Sequence, residues 1–349
     1  MANGNSSPSR VGQTNLAGDA RSLFLKLFSG EVLAQFNAMN IMSPLVMNKS
    51  ISGGKSETFK VLGRAEAFGH SPGVNILDAG NALLSQIASA ERVIFIDNRL
   101  ISACLIDDLD EAMSEFDVRG PYAQELGEAL AVAVDQLLLH TVILAARASS
   151  TITGLNGGAV VTDPDMETSG VALVNALFAA AQEFDEKNIP KQGRIAIVRP
   201  AMYYNMIRDP AVSIAATSPT ITQATVGYPL LNSNLSPGNG HFAKAELAIC
   251  AGFRVMVSNH IPDSNILSSD TFFGTGSGGM SEHGNVYYGD FSATSGVCFH
   301  QSAIGRLTMR SLGSSTSWKD EYEAWFVKAR LAMGAGILRP EAALELATA

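Results

Sequence analysis

Leu126, Leu130, Val134, Leu137 and Leu138 recur at the three- and four-residue spacing of a helix, within "PYAQELGEALAVAVDQLLLHTVILAARAS". This is the longest helical pattern in the chain, and Pro121 stands where a first-turn proline is tolerated. From Pro121 to Arg147 it spans about 40 Å at 1.5 Å per residue, so it reads as the spine of a domain. "TSGVALVNALFAAAQEFDEKNIP" predicts a second helix, with Val171, Val174, Phe178 and Ala181 on one face and Pro190 closing it. "DARSLFLKLFSGEVLAQFNAMN" predicts two short helices or one bent near Gly30. Elsewhere the period shortens to two. Phe59 and Val61 alternate with polar neighbours, and "ERVIFIDNRLISACLIDDLDEAM" reads as strand, tight turn at Asp97–Asn98, and strand. "GRIAIVRPAMYYNMIRD" reads as a buried strand, a proline turn and a short helix, and strands recur in "GFRVMVSNHIP" and "GVCFHQSAIGRLTMRS". "DEYEAWFVKARLAMGAGILRPEAA" has strand character up to a glycine joint. Between these lies a long polar loop from Pro262 to Asn285, whose "GTGSGG" reads as mobile. Strands and helices do not alternate as units and no repeat of 20–50 residues occurs, so the class is α+β rather than doubly wound.

Composition narrows the picture. The 349 residues are 46% hydrophobic and only 16% charged. So lean a charged surface suggests that much of it is buried against other copies. A net charge of −9 excludes bulk attraction to nucleic acid. Cys104, Cys250 and Cys298 are odd in number, far apart and free of C-x-x-C spacing, which points to buried thiols and reducing surroundings. The first twenty residues are polar, carry no secretion signal and read as a flexible arm that docks on a neighbour. No run of about 18 uncharged apolar residues is found, so the expectation is that no helix spans a membrane.

Candidate chemistry is sparse. Gly54-Lys55-Ser56 imitates the end of a phosphate-binding loop, but the leading glycine would fall on Lys49 and the following residues read as strand, not helix. The stretch is better read as a flap with glycine joints at 53, 54, 63 and 69. Over residues 49–70, Lys49, Lys55, Lys60 and Arg64 oppose Glu57 and Glu66, a local charge of +2 that would seek an acidic neighbour. Asp107, Asp108, Asp110 and Glu111 open an acidic run without the glycine or ligand register of a calcium loop, so it reads as a solvated helix start. The six histidines show no ligand spacing, and His140 reads as a satisfied core or interface residue. No G-x-S-x-G elbow occurs. No catalytic, cofactor-binding or metal-binding residue is assigned, and a self-assembling subunit suits the parts better than an enzyme does.

Four segments carry a family resemblance: "LFLKLFSGEVLAQF", "KSISGGKSETFKVLGRAEA", "FDVRGPYAQELGEALAVAVD" and "AMGAGILRPEAA". In order and spacing the chain resembles the major capsid proteins of short-tailed bacteriophages of the T7 type. The resemblance is dense to about Asp135 and at the C-terminus, and thin from about 150 to 300. It implies the tailed-phage, HK97-like capsid fold, which encapsulin compartments share. On that fold residues 1–46 would be the arm and its helix and 47–90 the extended loop. Residues 91–164 and 312–349 would be the peripheral domain, and 165–311 the axial domain. The resemblance further implies pentamers and hexamers closing into an icosahedral shell around double-stranded DNA, enclosed without sequence-specific binding. A scaffolding protein, a portal at one vertex, a decoration protein and expansion on packaging belong to the same scheme. Location would be the virion, after assembly in the host bacterial cytoplasm and without a membrane. Lys49, Lys55, Lys60 and Arg64 become candidates for contacts between subunits.

Overall fold

The computed structural model describes residues 40–73, 75–77, 87–107, 119–152, 154–208, 240–241, 246–247 and 249–348. The expected arm up to residue 39, and Asp108, Asp110 and Glu111, lie outside them. The chain opens with strands β1 (Met47–Ser50), β2 (Ser56–Leu62), β3 (Ser89–Phe95) and β4 (Leu100–Asp107). Helix α1 (Arg119–Arg147), β5 (Ala159–Thr162), α2 (Gly170–Glu186), β6 (Arg194–Val198) and α3 (Pro200–Arg208) follow. Then come the short strands β7 (Gly240–His241), β8 (Glu246–Leu247), β9 (Ile249–Cys250), β10 (Phe253–Val257), β11 (Asn265–Ile266) and β12 (Gly289–Asp290). The chain closes with β13 (Thr294–His300), β14 (Ile304–Lys319), β15 (Ala324–Ile337) and β16 (Ala343–Ala347). The class is α+β, as the mixed periodicity predicts.

Contacts divide the chain into two compact units. One comprises Met1–Asn40, Arg99–Val134 and Arg310–Ala332. Within it β4 runs antiparallel to β15, from Leu100 opposite Leu331 to Asp107 opposite Ala324. Alternation puts Ile106 and Val327 in a small core with Cys104, Trp325 and Leu126 of α1, while Ile101 and Leu105 face out.

The other unit comprises Ile41–Asn98, Asp135–Met309 and Met333–Ala349. Its main sheet is mixed, in the order β5-β16-β13-β6-β10-β9. Every residue of β6 and β16 is buried, as strands covered on both faces require. Helix α2, capped by the Ser169 hydroxyl accepting from Ala172 N–H, covers the sheet. Its Phe184 meets Phe253 of β10 edge-on at 5.4 Å. In the same unit β1 pairs in parallel with the start of β14, Met47 opposite Gly305. β2 and β3 form a separate antiparallel ribbon.

Four expectations change. The buried face of α2 is Leu173, Ala176, Leu177, Ala180 and Phe184, and Phe178, expected inside, is 59% exposed. The helix is apolar on two stripes, and the sheet selected the one carrying Phe184. The strands either side of Asp97–Asn98 belong to different sheets, because each finds a distant partner. The glycines of "AMGAGI" do not break β15, which runs through Gly334 and Gly336. The "GTGSGG" loop is tied down by Gly274 N–H to Asp270 O, Thr275 N–H to Ser268 O and Ser281 N–H to Gly274 O.

The expectation that no helix spans a membrane bears on α1. By length and composition alone Glu125–Arg147 could cross one, with a mean hydropathy of 1.9 over its most apolar 18 residues. However, 67% of its apolar window is buried inside the protein, which is the environment of a core helix.

Candidate functional site

The ribbon is the element that sequence reasoning singled out. Its register places Glu57 opposite Ile94, Phe59 opposite Arg92 and Val61 opposite Ala90 on one face. That face turns inward: Phe59 and Ile94 pack with Leu307 and Leu338, and Val61 is buried. The opposite face pairs Ser56 with Phe95, Thr58 with Val93, Lys60 with Glu91 and Leu62 with Ser89. On it Leu62 and Val93 are about half exposed. Beyond the ribbon, residues 64–73, 75–77 and 87–89 are all exposed. They include Phe68, Ile76, Leu77 and Ile87, with Leu77 76% exposed. Large apolar side chains grouped on one limb mark a surface meant for a partner.

The four candidate cations divide into two kinds. Lys49 bonds Glu57 at 2.5 Å and stands 5.3 Å over the Phe59 ring. Arg64 donates to the backbone carbonyl of Lys187. Both are therefore engaged inside their own chain. Lys55 and Lys60 are exposed, and neither side chain meets a carboxylate within salt-bridge distance among the described residues. Lys55 anchors the ribbon only through its carbonyl, which accepts from Ile96 N–H at 2.8 Å. Asp107, the one described member of the acidic run, is exposed at the end of β4.

The root of the ribbon is built from residues no motif flagged. The Asn285 side chain clamps the backbone of Phe95, its Nδ2 donating to the carbonyl at 2.8 Å and its Oδ1 accepting from the N–H at 3.4 Å. A second Nδ2 hydrogen goes to Asp97 Oδ1 at 2.6 Å. β15 approaches so closely that a Cβ on Gly334 would fall 1.8 Å from the Phe95 carbonyl oxygen, so only glycine fits. Asn285 lies in a polar loop and Gly334 in a strand, and nothing in their spacing announces the meeting.

Two further polar centres hold the unit together. Asp135 on α1, fully buried, accepts from Ile41 N–H at 2.9 Å and Met42 N–H at 3.1 Å, fastening the segment that leads into β1. Glu345 on β16, 1% exposed, accepts from Arg147 Nε and Nη2, each at 2.6 Å, and from the Thr294 hydroxyl at 2.5 Å. His140 is buried as expected. It stacks on Phe291 at 4.7 Å and its Nδ1 meets the Tyr287 carbonyl at 2.9 Å. Burial lowers its pKa to about 4, so it stays neutral. Cys250 and Cys298 are buried free thiols and Cys104 is partly exposed. Among the described residues no three His, Cys, Asp or Glu side chains are placed to hold a metal ion. These parts make a braced body and an exposed apolar limb.

Solved structures place this architecture. The capsid of the cyanophage P-SCSP1u matches with a TM-score of 0.73 at 29% identity, over 99% of this chain and 99% of that one. The mature capsid of bacteriophage PhiM1 matches with a TM-score of 0.66 at 17% identity, over 93% and 91%. The fold is that of HK97-like phage capsid proteins. A family model described as Gp10A-like, major capsid protein, matches residues 58–347, and the chain belongs to that family. The major capsid protein of Escherichia phage T7 is 29% identical over 347 residues, covering 94% of this chain and 92% of its own length. That of Enterobacteria phage T3 is 30% identical over 352 residues, covering 95% and 93%. Proteins of this structural family assemble with their own copies into the shell of the virion.

Proposed function

We propose that this chain forms pentamers and hexamers that close into an icosahedral shell around double-stranded DNA, and that the β2–β3 limb is its principal grip on a neighbouring copy. The observation carrying this reading is the limb itself, on which Phe68, Ile76, Leu77 and Ile87 are all exposed. Contacts of this kind are weak singly and gain strength through closure and repetition. In the same reading residues 1–46 are the arm, 47–90 the extended loop, 91–164 with 312–349 the peripheral domain and 165–311 the axial domain. A scaffolding protein guides a first, rounder shell in the host cytoplasm, a portal takes one vertex, and packaging drives expansion. A decoration protein would dock on the outer loops. The net charge of −9 suits a container that must not adsorb its own genome. An encapsulin-type compartment with enzyme cargo is less favoured, since the relatives are phage capsid proteins.

Electron microscopy of the chain co-expressed with its scaffold tests the reading, with closed shells expected and monomers alone counting against it. Charge reversal separates three of the four cations. Lys55→Glu and Lys60→Glu are expected to lower shell yield and heat resistance while leaving the melting of the single chain unchanged. Arg64→Glu, which loses its bond to the Lys187 carbonyl, is expected to lower both. Normal, heat-resistant shells from the two lysine variants would remove them from the contact.

A further inference from the structure

We propose that Asp97 is a proton-operated fastener for the root of the β2–β3 ribbon: neutral, it locks β3 to β15 and to the segment 281–287; ionised, it lets that root open. The Tyr287 hydroxyl has one proton and two acceptors in reach, Asp97 Oδ2 at 2.5 Å and the Ala335 carbonyl at 3.1 Å. It also accepts from Ala335 N–H at 2.7 Å. If Asp97 is ionised, the single phenolic proton must serve the carboxylate, and the Ala335 carbonyl loses that donor. If Asp97 carries a proton on Oδ2, it donates to the phenol oxygen and the phenol donates to Ala335. Every group is then paired, and Asn285 Nδ2 still serves Oδ1 at 2.6 Å. A buried polar network is worth most when all its members are satisfied.

The position gives the proton leverage. Asp97 is 5% exposed and follows β3 by two residues. Its backbone N–H donates to Met333 O at 3.1 Å, next to the glycine where β15 touches Phe95. Asn285 holds Phe95 and Asp97 with one amide, so a shift of the carboxylate is felt directly at the end of the ribbon. The segment 281–287 brings Tyr287, with Glu282 and His283 turned to Asn98 at 2.7 and 3.1 Å. β15 brings Met333 and Ala335 to it, and α1 brings the neutral His140 no closer than the Tyr287 carbonyl. Among the described residues no lysine or arginine forms an ion pair with Asp97. Burial accordingly raises its pKa to about 7, against the lowering pull of Tyr287 and Asn285.

The sign follows from linkage. The closed root keeps its proton up to about pH 7, whereas an opened root gives it up near the ordinary carboxylate value of 3.8. Opening therefore releases a proton between these limits, becomes about tenfold easier per pH unit there, and levels off above about 7. Hydrogen–deuterium exchange of the full-length chain, read on peptides covering 89–98 and corrected for intrinsic rates, tests this. Wild-type protection is expected to fall about fiftyfold from pH 5 to pH 7. Asp97→Asn, whose amide can donate to Tyr287 and accept from Asn285, is expected to stay flat. Contributions from Glu282, His283 and His140 are common to both proteins and cancel. A flat wild type, or an equal fall in Asp97→Asn, would overturn the proposal. Should Asp97→Asn fail to fold, infrared spectroscopy of the wild type decides. A buried protonated-carboxyl band at pH 6 that is gone at pH 9 supports the fastener, and its absence at pH 6 overturns it. The consequence for shell formation rests on the assembly reading, but exchange in the single chain does not, so the two fail separately.

Discussion

Replacing Asp135 with alanine removes the acceptor that holds the start of the described chain to helix α1. The carboxylate takes two backbone N–H groups, Ile41 at 2.9 Å and Met42 at 3.1 Å, in a site with no exposure. Hydrogen bonds to a charged group contribute about 1.5–3 kcal/mol each. Met42 is itself 1% exposed, so no water replaces the lost partner on that side. The half-buried Arg306 guanidinium, which Asp135 attracts, would also lose its countercharge. Together these give a loss of about 3–5 kcal/mol, the range for removing one partner from a buried charged network. A chain of 349 residues has an unfolding entropy of about 0.7 kcal/mol/K, so the melting temperature should fall by about 5 °C. Asp135→Asn retains one oxygen for one of the two N–H groups and should lose about half as much. Thermal denaturation of the purified chain gives the first number, and hydrogen exchange over residues 41–50 gives its location. A shift under 1 °C in Asp135→Ala, or unchanged exchange at 41–50, would show that this segment is held by something other than the carboxylate.

Three further outcomes follow from the same structure. Arg147→Met leaves Glu345 buried with only the Thr294 hydroxyl and should cost about 3 kcal/mol. Adding Glu345→Leu should recover part of that loss, read as a positive coupling in a denaturant double-mutant cycle. Gly334→Ala drives a methyl into the Phe95 carbonyl and should abolish soluble expression or lower the melting temperature by more than any other glycine change. Gly276→Ala, where an added Cβ meets nothing within 4 Å, should leave melting unchanged within about 1 °C.

Much of the architecture is written in local periodicity. The α1 spine, the strand after Lys55, the short helix after Pro200 and the buried strand at Arg194–Val198 all follow from spacing and proline placement. So does the dismissal of the phosphate loop, because Ser56–Leu62 is a strand. Local patterns fail where the partner decides. Both stripes of α2 are apolar, and only the sheet beneath selects Leu173, Leu177 and Phe184 over Phe178. The glycines of β15 look like a break and are instead the place where another backbone must pass. Glu345 lies in "ALELA" and is buried, where it accepts from a guanidinium 198 positions away.

The candidate site divides in the same way. Charge counting over residues 49–70 singled out four cations, and sequence alone treated them as equals. Tertiary structure gave Lys49 and Arg64 partners in their own chain and left Lys55 and Lys60 without a carboxylate partner among the described residues, because a side chain's partner depends on which segment returns beside it. Asp97 was legible only as a turn residue between two apolar runs. Its burial and its bonds to Asn285 and Tyr287 come from residues 188 and 190 positions away, a separation that no local period encodes. What the sequence by itself determined is the main helices and strands and the sign of the net charge. Which faces close, which charges are neutralised and which carboxyl keeps its proton were decided by long-range packing, since each depends on the dielectric and the donors that only the folded chain brings together.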